Sequence, residues 1–203
     1  MSDTGPRYWL MDWHGRVMDH DPVQDRLVMQ DITVDRYPGI WFTCEDPEQR
    51  PMPIDLRKTV SLPSPLPRLT AIETGDGLVG LRDEEAERAG RAGPYAKSVN
   101  MGPFELGSNV LAGWERFAII SEPMLHGILI LAQPHLSEIR DEDGQSLPPL
   151  GIIPEIRCEI GDICVPVVAM RPALEQVAGL ASGTDLAIEL ASEPARRITV
   201  RRL

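Results

Sequence analysis

The sequence predicts an all-β protein built of many short antiparallel strands, and three observations carry that prediction. Nineteen prolines and seventeen glycines are spread along 203 residues. Both interrupt helices, proline by removing a donor and clashing with the preceding turn, glycine by costing about 1 kcal/mol against alanine. The apolar residues then come in short runs bounded by turn signals, the pattern of strands rather than of amphipathic helices. Finally, Leu186, Ile188 and Leu190 alternate with period two, as do Ile198 and Val200, which puts each set on one face of a strand. Such strands are expected to form either a barrel or a β-sandwich. A chain of this size hides roughly 70% of its extended surface on folding, so a core forms without staples.

Taken in order, strands are expected at Arg7–Met11, Arg26–Met29, Ile32–Val34 and, after a turn at Tyr37-Pro38-Gly39, at Ile40–Thr43. Ser61-Leu62-Pro63-Ser64-Pro65-Leu66-Pro67 alternates proline, which favours an extended chain and supplies no ladder donors. It divides an N-terminal β region, 1–60, from a main β domain, 69–203, by a connection over 61–68; the two regions also read as one domain. Strands resume at Leu69–Thr74 and Leu78–Arg82 around the turn Gly75-Asp76-Gly77. Asp83 to Ala92 is charged without an apolar face and is expected as a loop or a single helical turn. Phe117–Ile120 and Gly127–Leu131 are apolar runs short enough for buried strands. The acidic turn Asp141-Glu142-Asp143-Gly144 precedes a strand at Leu150–Ile153. A hairpin at Gly161-Asp162 joins Glu155–Ile160 to Ile163–Val168. Ala173 to Ala181, rich in alanine and leucine without proline, is the expected short helix.

Residues 78–120 carry a pattern of their own. Leu78-Val79-Gly80-Leu81-Arg82 is followed by Gly93-Pro94-Tyr95-Ala96, by Leu106 and Asn109, and by Gly113-Trp114-Glu115-Arg116-Phe117. This resembles one repeat of a fascin-like β-trefoil. The resemblance implies a β-trefoil-like barrel in which Trp114 and Phe117 fill a shared core. It also implies a binding role, since such trefoils bind actin filaments, sugars or partner proteins and catalyse nothing themselves. From the residues alone, Glu115 is placed to accept backbone donors or to pair with Arg116 or Arg82.

Thirty-one acidic residues against twenty lysines and arginines leave a net charge of −11. Such a surface repels phosphate backbones and anionic membranes, which argues against nucleic-acid and membrane partners. Arg196, Arg197, Arg201 and Arg202 read as a solvated final strand whose arginines meet carboxylates. No apolar run reaches the roughly 20 residues of a membrane span. Residues 1–7 contain no apolar segment of a secretory signal, which gives the expectation of a cytoplasmic protein. Cys44, Cys158 and Cys164 suit a reducing compartment, the latter two as buried thiols on neighbouring strands.

No nucleophile elbow, phosphate loop or paired-cysteine metal spacing is present, so no catalytic residue, metal or cofactor is assigned. Asp12, His14, Asp19, His20, Asp21 and Asp25 cluster in sequence, but Asp21-Pro22 breaks the strand that would align the two histidines, leaving an irregular acidic loop. Trp13, His14 and Trp41 are the candidate ligand-binding residues, because aromatic faces beside polar groups grip a sugar ring. The expected function is a non-enzymatic binding module for carbohydrate, or one accessory to glycan processing. The alternatives are an assembly protein that binds itself or a larger protein complex, and a hydrolase with an acidic site.

Overall fold

A computed structural model describes residues 5–32, 38–58, 66–99, 103–192 and 194–203. Thr33 and Val34 of one expected strand, Tyr37 of the expected turn and residues 61–65 of the proline-rich connection lie outside the described residues. Antiparallel strands dominate, and the chain divides into two compact units, 1–121 and 122–203. Among the described residues, no helix is long and apolar enough to cross a membrane.

The first unit is a nearly closed barrel. β1 (Arg7–Met11) pairs with β11 (Arg116–Ser121), Tyr8 opposite Ser121 and Met11 opposite Ala118. β2 (Val17–Asp21) and β3 (Arg26–Gln30) form a hairpin in full register beside it. β8 (Val79–Asp83) is bordered along its whole length by β7 (Leu69–Glu73). Its other edge is shared: Val79 and Gly80 pair with β11, Arg82 with Tyr95 of β9 (Tyr95–Ser98). β10 (Phe104–Ser108) completes the path β10-β9-β8-β11-β1-β2-β3. A bridge from Val28 to Pro103 joins β3 to the residue before β10, which all but removes the open edges that invite aggregation. β4 (Ile40–Thr43) pairs with the start of β1 and with β6 (Arg57–Lys58), and β5 (Met52–Ile54) pairs with β7. Strands from 1–60 and from 69–121 therefore share one sheet.

The barrel core follows from strand alternation. Leu10, Met18, Phe42, Leu81 and Phe117 are among its fully buried side chains, and the Phe104 ring lies 6.0 Å from that of Phe117. The charged stretch after β8 forms one short helix, α1 (Glu84–Arg88), capped by Asp83, whose carboxylate accepts the N–H groups of Glu85 and Ala86.

The second unit contains a four-stranded sheet in the order β13 (Ser146–Leu147), β12 (Ser137–Arg140), β18 (Arg196–Arg202), β17 (Asp185–Leu190). A three-stranded meander runs β14 (Gly151–Ile153), β15 (Arg157–Ile160), β16 (Ile163–Pro166). Two helices, α2 (Glu122–Leu131) and α3 (Arg171–Ala178), pack on each other. The final-strand arginines do meet carboxylates, Arg196 with Asp162 at 3.3 Å and Arg201 with Asp185 at 3.9 Å.

The helix α2 corrects one expectation. Gly127–Leu131 is not a strand but the second half of a helix. A run apolar at every position carries neither periodicity, and here burial on all sides satisfies a helix as well as a strand. Pro123 sits in the first turn, where its missing N–H costs no hydrogen bond. At the other end, the Ile130 and Leu131 carbonyls accept from Ser137 Oγ and the Leu150 N–H.

The cysteines need a second correction. The hairpin loop is Gly161-Asp162, so Cys158 stands opposite Val165 and Cys164 opposite Glu159. The two thiols thus occupy opposite faces, and only Cys158 is buried; Cys164 is half-buried and accepts from Arg157 Nε at 3.0 Å. Burial, with a smaller contribution from Cys164, pushes the Cys158 thiol up to about 12, which makes it inert.

Candidate functional site

The site begins in the turn between β1 and β2. The Arg16 carbonyl accepts the Asp12 N–H at 2.8 Å, and Gly15 takes the left-handed conformation the turn needs, with φ of 80°. The Asp12 carboxylate is fully buried yet saturated with donors. It accepts the backbone N–H groups of His14 and Arg16 at 3.0 and 2.9 Å, Arg16 Nε and Nη2 at 3.0 and 2.7 Å, and the Ser98 hydroxyl at 2.5 Å. Arg16 Nη2 also reaches the Val99 carbonyl at 3.2 Å. This network ties the turn to β9 and fixes the backbone that presents Trp13.

Opposite Trp13 lies the loop between β10 and β11, fastened at three points. Leu111 packs on Gly80, where an added Cβ would come within 2.6 Å of Leu111 Cδ2. Gly113 lies against the Trp13 ring, so that a Cβ there would stand 3.2 Å from the indole carbons. Glu115, 5% exposed, accepts the Ala112 N–H at 3.0 Å and the Ser108 hydroxyl at 2.8 Å. It accepts a backbone donor as expected, but Arg116 and Arg82 pair elsewhere, with Asp76 and Glu87.

Between turn and loop is a recess of about 270 Å³ lined by Trp13, Val110, Ala112, Gly113, Trp114 and Glu115. Trp114 is 44% exposed, which overturns the expectation that it shares the core with Phe117. The reason is local. Gly113–Glu115 is a 3-10 turn preceding β11, so the alternation that sends Phe117 inward does not extend to Trp114. The resemblance across 78–120 therefore fails at this residue, and the failure reveals a surface indole beside Trp13.

The structure separates the three residues singled out from sequence. Trp13 lines the recess. His14 is half-buried next to it, its Nδ1 3.3 Å from Arg16 Nη2. Trp41 does not line the recess; it is 7% exposed, with the Arg7 guanidinium 4.7 Å from its ring centroid, an arrangement that stabilises β4 against β1 by cation–π attraction. The cluster expected as an irregular acidic loop is instead ordered and divided: Asp12 and His14 belong to the β1–β2 turn, and Asp19, His20, Asp21 and Asp25 to the β2–β3 hairpin. There the Asp19 carboxylate, nearly fully buried, accepts the N–H groups of His20 and Gly39, each at 2.8 Å, and His20 Nε2 lies 3.1 Å from Asp25. Among the described residues, no group of three or more His, Cys, Asp or Glu is arranged to hold a metal ion.

No protein-family model matches this chain, and no curated protein is significantly similar to it.

Proposed function

We propose that this chain is a non-enzymatic binding module that recognises a protein partner through the Trp13–Trp114 recess. The observation that carries this reading is a pair of indoles, one of them 44% exposed, on a loop fastened at Gly80, Trp13 and Ser108. Exposed tryptophan on a rigid frame is the composition of an interaction hot spot, because the large ring buries much apolar area at low entropic cost. The lining favours a protein side chain over a sugar. Glu115 is its one polar side chain and the remaining walls are apolar, whereas a sugar needs several polar groups to fix its hydroxyls. Carbohydrate is the second reading, favoured by the same two indoles as a stacking surface.

The test is a peptide array and a glycan array probed with the full chain and with Trp114→Ala. Peptide hits that vanish in the variant, while its melting temperature stays close to that of the parent, are the expected result. Stability should change by no more than about 0.5 kcal/mol, as for most surface substitutions. Glycan hits lost in the variant would transfer the site to the second reading. Hits indifferent to Trp114 would remove the recess from the account.

A further inference from the structure

The recess holds a carboxylate that no cation among the described residues offsets. Glu115 lines it and is 5% exposed. Its two hydrogen bonds come from a hydroxyl and a backbone amide, both neutral. The adjacent arginine turns away, its Nη1 3.0 Å from Asp76 Oδ2, and among the described residues no cation pairs with Glu115. A carboxylate has room for about four acceptor contacts, so two remain. A buried charge without a counter-charge is costly, and that cost falls when a cation seats beside it.

The other walls suit the same kind of occupant. An indole attracts a cation over its face when the two lie within roughly 6 Å, more strongly as water is excluded. Two indoles and one buried carboxylate around about 270 Å³ match an organic cation with an apolar shell. A bare metal ion, which would need several oxygen ligands, does not fit these walls. The net charge of −11 draws a cationic partner at long range as well.

Resting on the reading of the recess as a protein-binding site, we infer that its occupant is a cationic side chain of the partner: arginine, lysine or methylated lysine. The indoles take the alkyl stem and head group, and Glu115 supplies the opposing charge from behind the loop. Tryptophan then sets affinity for the apolar part and shares the preference for the charge with Glu115.

The experiment titrates the full chain with N-acetyl-trimethyllysine amide, with N-acetyl-arginine amide, and with an uncharged isostere of the first in which carbon replaces the quaternary nitrogen, following intrinsic tryptophan fluorescence. Saturable binding of the charged probes, about tenfold tighter than the isostere, is expected, and Glu115→Gln should reduce that difference, leaving the share the indoles supply. Because the variant also weakens the loop, the comparison of charged and uncharged probes on the unaltered protein decides the matter. An isostere that binds as well as the cations overturns the charge preference while leaving the recess as an apolar protein-binding site. No binding of any probe also overturns the inference; the recess itself then stands or falls with the Trp114→Ala array comparison.

Discussion

Asp12→Ala is expected to destabilise the protein by about 3–5 kcal/mol, the usual cost of breaking a buried charge pair from one side. The carboxylate is fully buried and accepts from five groups, two of them on the Arg16 guanidinium. Removing it leaves that guanidinium, whose side chain is only 12% exposed, without a carboxylate and, among the described residues, within reach only of Ser98 Oγ, the Val99 carbonyl and His14 Nδ1. The Ser98 hydroxyl and the turn amides lose their acceptor in the same step. Urea denaturation read by far-UV circular dichroism measures the loss as a lower midpoint at similar slope. Because the same network holds the turn under Trp13, any surviving folded fraction should also bind array peptides poorly. That couples a fold determinant to the proposed function through the turn at residues 12–16.

The second large effect lies in the other unit. Gly127→Ala would ordinarily strengthen a helix by about 1 kcal/mol. Here the added methyl would collide with the backbone carbonyl of Leu174, where α3 crosses α2. Backbone cannot rotate away as a side chain can, so the helices must separate. Overpacking of this kind costs about 1–3 kcal/mol and sometimes more, and we expect the upper end of that range. For a unit of this size the melting temperature should fall by about 12–24 °C, as calorimetry would show. A rise in melting temperature would mean that the close helix approach is absent.

How far these features were legible in the sequence differs from element to element. Leu186, Ile188 and Leu190 announced β17 because a half-buried strand at a sheet's edge alternates in water and core. The turn at Gly161-Asp162 announced its hairpin because a left-handed glycine has few other uses. By contrast, the Gly127–Leu131 run hid its helix, since full burial erases the pattern that separates helix from strand. The β2–β3 hairpin was masked by its own acids: Asp19 looks solvated in sequence, yet it is buried by accepting amide donors from His20 and from Gly39 across the chain.

The site was half legible. Trp13 is marked by its type and its polar neighbours, but its companion Trp114 sits about a hundred residues away in sequence, and the fascin-like resemblance implies a place for it in the core. Only the 3-10 turn at Gly113–Glu115 moves that indole to the surface, and nothing in the residue types distinguishes such a turn from the first residues of β11. Glycine at 113, adjacent to a tryptophan, was the one available hint, since a ring packs there where a side chain would stand.

The binding face can be read directly from the four indole N–H signals of Trp9, Trp13, Trp41 and Trp114 in a nitrogen–proton correlation spectrum, as the strongest array peptide is titrated in. The two recess signals, Trp13 and Trp114, should shift together with the bound fraction, while buried Trp9 and Trp41 stay in place. Shifts confined to Trp9 and Trp41, or an unmoved Trp114 at saturation, would contradict the recess as the place where this protein meets its partner.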